Sequence, residues 1–132
     1  GLTELRALFA DHAVLFCNIL GQLPFLFAEA SGEGFARYLG EIPSALQGAS
    51  WASYHDRVSG PWPPSVSGLA FDSAVGTDAL VNAAFTPLAG GQSLAFSDHQ
   101  TGPLAPDLPR QMWLWQRTPG DFHLIEGVSV SR

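Results

Sequence analysis

The sequence predicts an α+β fold in which N-terminal helices pack on a curved, mostly antiparallel sheet of about five strands. Three observations predict it: apolar residues recur at helical spacing near the start, a proline-rich stretch interrupts the middle, and short alternating segments separated by turn residues follow. At 132 residues the chain is expected to be a single domain, large enough to bury a core without disulfides or a structural metal. Its expected parts are a helical portion over residues 1–58, a hinge over 59–65 and a β portion over 66–132.

Thr3 is the expected N-cap of the first helix. Leu5, Leu8, Phe9, His12, Leu15, Phe16, Ile19, Leu20 and Leu23 form its wide apolar face, opposite a narrow stripe of Glu4, Asp11, Asn18 and Gln22. Gly21 and Pro24 end or kink it. A second helix is expected over 33–39, stopped by Gly40 and Pro43, with a short turn at 44–47. Trp51, Tyr54, His55 and Val58 have the spacing of one face of a third, short helix. Pro61, Pro63 and Pro64 then fix φ and remove donors, which makes 59–65 a hinge, with Trp62 expected to plug the seam between the helices and the sheet. Strands are expected over 66–75, 79–88, 93–99, 110–117 and 122–131.

The last two strands read as a hairpin with a definite register. Pro119-Gly120 suits a type II turn, since Pro sets φ at the first central position and Gly supplies positive φ at the second. Counting outward, Arg117 faces Phe122, Trp115 faces Leu124 and Trp113 faces Glu126. One face then carries Trp113, Trp115, Phe122, Leu124, Val128 and Val130 with Glu126 among them, while His123, beside Gln116, faces solvent.

Hydrophobic residues make up 46% and charged residues only 14%, a lean charge content that leaves apolar surface for a ligand or a second subunit. The net charge of −6, with arginine as the only strongly basic residue type, argues against nucleic acid, which needs a basic footprint. A lone Cys17 excludes an internal disulfide and a multi-cysteine zinc site; within an apolar helical run it reads as a small buried hydrophobe. Residues 13–30 have the outline of a signal peptide, but Asn18, Gln22 and Pro24 interrupt it. No targeting or membrane-spanning segment is expected, and a cytoplasmic location is the default.

Histidine and aspartate adjoin at Asp11-His12, His55-Asp56 and Asp98-His99, and flank one residue at Asp121 and His123. Neighbours diverge on a strand or helix, so each dipeptide offers at most one inward group. No metal-binding spacing occurs, and no metal or cofactor is expected. His12, within an apolar stripe, is either a hydrogen-bonded core histidine or a donor or base lining a pocket. Glu126 is the candidate acid: an apolar face raises a carboxyl pKa and suits acid–base work. Alternatively a bulge at Gly127 turns it outward, or an arginine such as Arg110 or Arg37 pairs with it. Trp51, Tyr54 and Trp62 offer stacking surface near the hinge. There is no Gly-rich phosphate loop, no Gly-x-Ser-x-Gly elbow and no Cys/His nucleophile context, so nucleophilic catalysis has no sequence support.

The order of helices, proline hinge and strand meander, closed by Met-Trp-Leu-Trp-Gln-Arg-Thr-Pro-Gly-Asp-Phe-His-Leu-Ile, resembles the nuclear-transport-factor-2-like superfamily, which includes ketosteroid isomerases and polyketide cyclases. The resemblance implies a cone-shaped fold, dimerisation through the sheet and an apolar pocket between helix and sheet. Phe122 stands where an aromatic Trp is usual after the hairpin glycine, and no catalytic Asp or Tyr of the superfamily transfers to a numbered position.

The expected function is therefore small-molecule binding in a pocket, with lyase- or isomerase-type acid–base chemistry as its enzymatic form. Glu126 and His12 are the candidate polar groups, and Trp113, Trp115, Tyr54, Trp51 and Phe16 the candidate ligand-binding surface. The expected partners are a small apolar ligand and a second copy of the chain, with neither nucleic acid nor membrane. The rival expectation is a non-catalytic dimeric interaction or sensory domain, in which the face carrying Met112, Leu114 and Ile125 packs on a partner.

Overall fold

β5 (Asp121–Val130) is buried continuously from His123 to Glu126, and its Val128 packs in the core with the apolar stripe of α3 (Gly32–Ala45). This computed structural model describes residues 1–26, 32–61 and 97–132. The fold is α+β, with helices ahead of an open, curved, mostly antiparallel five-stranded sheet. The expectations for Trp62 and for strands at 66–75 and 79–88 lie outside the described residues.

Only the first two turns of the expected long helix form. α1 spans Leu2–Leu8, where Arg6 donates to the carbonyl of Ala10 and satisfies an acceptor at the helix end. The chain then extends, and β1 (Val14–Cys17) pairs in parallel with the start of β2 (Trp51–Gly60). Its four residues alternate between half-buried and exposed, a period of two that a short apolar run hides when it is read at helical spacing. A 3-10 turn (Leu20–Gln22) leads into α2 (Leu23–Leu26).

α3 presents Phe35, Leu39 and Ile42 on one stripe, continued by Leu46. It runs through Gly40 and Pro43, where the sequence suggested a stop, because burial of this stripe outweighs two unfavourable local propensities. The turn after it ends at Gly48, whose φ of 98° suits glycine.

Residues 51–60, expected to begin as a helix, form the central strand. β2 is buried continuously from His55 to Val58 because both of its faces are covered, so simple alternation is lost. Its neighbours are β1 and β5, with the short β3 (Ser97–Asp98) beside its C-terminal end. A bulge at Arg57 shifts the β2–β5 register between Asp56↔Ile125 and Val58↔Leu124.

The terminal hairpin has the expected Pro119-Gly120 turn, with Gly120 at φ 81°. Its register differs. Thr118 pairs with Asp121 and Gln116 with Phe122, so Arg117 is bulged and β4 (Gln111–Thr118) slips by one residue. Met112 now faces Glu126, Trp113 faces Ile125 and Trp115 faces His123. A one-residue slip transfers a strand's side chains to the other face, so Trp113 and Trp115 leave the helix side, where Met112 and Leu114 take their place.

The core lies between α3 and the sheet. Leu20, Trp51, Leu104 and Val128 pack there against the α3 stripe, with Val14 and Phe16 of β1 at its margin.

Candidate functional site

The two faces of β2 each hold a buried polar network. On the helix side, the register pairs His55 with Glu126, and both side chains are fully buried. His55 Nε2 lies 3.3 Å from Glu126 Oε2, and His55 Nδ1 lies 2.9 Å from Ser53 Oγ. A carboxylate only accepts, so Nε2 carries the proton and Nδ1 takes the hydroxyl hydrogen of Ser53. Arg110 Nη1 reaches Glu126 Oε1 at 2.6 Å, a charge contact outside good hydrogen-bond alignment, while Nη2 donates to the carbonyls of Gly102, at 3.2 Å, and Leu104. Of the three sequence alternatives for Glu126, pairing with Arg110 is the one present. The carboxylate compensates a guanidinium, and Trp113 is not beside it.

On the opposite face, Asp56 is a fully buried hub. Its Oδ2 accepts from Asn18 Nδ2 at 2.9 Å and Gln22 Nε2 at 3.1 Å, and its Oδ1 accepts from His123 Nδ1 at 2.8 Å. The backbone N–H of Asp56 donates to Asn18 Oδ1 at 2.9 Å. Asn18 holds a left-handed φ of 51°, a conformation its short amide tolerates, and this directs both ends of the amide at Asp56. The His123 ring lies 5.5 Å from that of Trp115, and its Nε2 is 3.9 Å from Asp121 Oδ2. Thus both members of the His55-Asp56 dipeptide are inward, one to each face of a doubly covered strand. His123, expected in solvent, is buried against Asp56.

The other candidates separate. His12 is exposed in the turn after α1, edge-on to Phe9 with ring centroids 5.7 Å apart, rather than within an apolar helical stripe. It borders a groove with Leu2, Arg6 and Phe9, whereas Glu126 is fully buried against His55 and Arg110. Trp51 is buried in the core, and Phe16 packs at the core's edge. Tyr54, Trp113 and Trp115 are 40%, 41% and 48% exposed and share the face opposite the helices. There, Leu15, Tyr54, Gln111, Trp113 and Gly127 border an open groove of about 420 Å³. Gly127 gives Trp113 room: a Cβ at residue 127 would sit 3.1 Å from the indole. Cys17 is exposed rather than buried. Its hydrogen bond to Tyr54 raises the Tyr54 hydroxyl pKa above the ordinary value of 10.0.

Sequence reasoning missed Asp56 and His123 as partners. The adjoining His/Asp pairs were the available signal, but pairing across 67 residues is set by strand order. Among the described residues, no group of three or more His, Cys, Asp or Glu could hold a metal ion, and no helix is long and apolar enough to cross a membrane. No protein-family model matches the chain, and no curated protein or solved structure is significantly similar to it.

Proposed function

We propose that the protein binds a small, largely apolar molecule on the open face of its sheet, and that His123 handles a proton beside that molecule. The observation behind this reading is the placing of three partly exposed rings, Tyr54, Trp113 and Trp115, on the same face as a histidine hydrogen-bonded to a fully buried carboxylate. Rings of this kind offer apolar area with polar edges and suit a planar, uncharged ligand. Asp56 orients His123 by accepting its Nδ1 proton, which directs Nε2 to the chemistry. The enzymatic form of the proposal is proton transfer of the isomerase or lyase type, with His123 as general base or acid. Glu126 stands outside this chemistry because its charge is committed to Arg110.

Coumarin, a neutral planar bicycle, is the test ligand. Saturable NMR shifts at the indole N–H groups of Trp113 and Trp115 and at the His123 ring are expected, and Trp113→Ala should weaken binding about tenfold, or ~1.4 kcal/mol. Absence of saturable shifts, or shifts confined to other residues, overturns the reading. A second reading places another copy of the chain on this face, favoured by the position of β4 at the end of the strand order with both indoles outward. Sedimentation separates the two, because a dimer of this kind protects the indoles in proportion to protein concentration and without ligand.

A further inference from the structure

Ser59, in the last turn of pleat of β2, is half-buried. Its Oγ lies 2.8 Å from Nε2 of His99, a ring buried among β2, β3 and the 3-10 turn. The other ring nitrogen, Nδ1, lies 2.8 Å from the carbonyl oxygen of Gly21. A carbonyl can only accept, so Nδ1 carries the ring proton, Nε2 presents its lone pair, and the Ser59 hydroxyl donates to it. The orienting carbonyl is itself held in place. A Cβ at residue 21 would come within 3.1 Å of the backbone nitrogen and oxygen of Asp56, so Gly21 sits directly against the strand that carries Ser59.

From this geometry we propose that Ser59 is a nucleophile activated by His99, and that the substrate class is small activated esters. The relation matches that of a hydrolase serine: nucleophile to base, and base to an acceptor that fixes its tautomer. His123 is the cross-strand partner of Ser59 on β5, and its ring is held by Asp56. In the acylation step Ser59 Oγ bonds to the ester carbonyl carbon while its proton passes to His99 Nε2. The tetrahedral adduct collapses, the bond to the alcohol oxygen breaks, and His99 returns the proton to the departing alcohol. Water then attacks the acyl-serine, gives its proton to His99, and releases the acid with Ser59 restored. This inference needs only Ser59, His99 and Gly21, and does not rest on ligand binding at the aromatic groove.

The test is reaction of the folded wild-type protein with an alkyl fluorophosphonate, followed by peptide mapping of the adduct. The Ser59 oxygen–phosphorus bond forms, the phosphorus–fluorine bond breaks, and the serine proton leaves with fluoride. The expected result is an adduct at Ser59 whose rate of formation falls as the pH is lowered and the imidazole is protonated. His99→Gln can still accept from Ser59 and donate to Gly21, so it preserves a merely structural role while removing the base. Labelling of that variant should be about 100-fold slower or worse. An adduct at another residue in place of Ser59, no adduct, a pH-independent rate in the wild type, or undiminished labelling in folded His99→Gln overturns the proposal. The wild-type mapping and pH profile stand even where the variant fails to fold.

Discussion

Glu126 and Asp56 show how one kind of side chain takes two roles according to what surrounds it. Both are fully buried carboxylates, but Glu126 compensates Arg110 while Asp56 is surrounded by neutral amides and a histidine. Replacing Glu126 by Gln leaves the Arg110 charge without its counter-ion in the interior. A loss of about 3 kcal/mol in urea unfolding is expected, near the low end for uncompensating a buried pair because Gln keeps an acceptor oxygen. Glu126→Leu with Arg110→Met should recover part of that loss, since removing both charges also removes the desolvation cost. Equal stability of wild type and Glu126→Gln would mean that the ion pair contributes nothing. The arginine pairing was legible in the sequence as one alternative; its choice was not, because Arg110 reaches Glu126 only once the hairpin register is set.

At the scale of elements, α3 and β4 show local preference yielding to burial. α3 continues through Gly40 because its buried stripe, not its exposed face, determines whether the helix persists. Gly40 is exposed, and a Cβ there meets nothing within 4 Å. Gly40→Ala should therefore stabilise the protein by about 1 kcal/mol, the difference in helix propensity, read as a raised melting temperature. A destabilising result would show that the glycine conformation is needed at that turn. In β4 the bulge at Arg117 moves Met112 and Leu114 to the helix side and leaves both indoles outward. The turn residues were correctly legible in the sequence, whereas the bulge was not, since it extrudes a single polar residue near the hairpin end and leaves no compositional trace.

Across the whole molecule, the sheet divides the tryptophans by energetic role. Trp51, at the start of β2, sits in the core with the α3 stripe and Val128, and Trp113 lies over Gly127 on the open face. Trp51→Ala should cost about 3 to 5 kcal/mol, the range for truncating a buried large side chain. Trp113→Ala should cost under about 1 kcal/mol while changing the environment of the groove. Urea denaturation of the two variants checks both; comparable losses would show that the open face is as important to folding as the core.

The sequence by itself determined the α+β class, a helix over 33–39 and the turn at Pro119-Gly120. Each of these rests on residues a few positions apart, where backbone geometry and side-chain period suffice. Tertiary structure decided the rest. Residues 14–17 and 51–60 became strands because they pair with each other and 51–60 pair also with β5, and a short apolar run has no period of its own to choose between helix and strand. The same pairing set His55 against Glu126, 71 residues away, and His123 against Asp56. Both polar networks arise from strand order, which is fixed by the burial of many side chains together rather than by the spacing of any few.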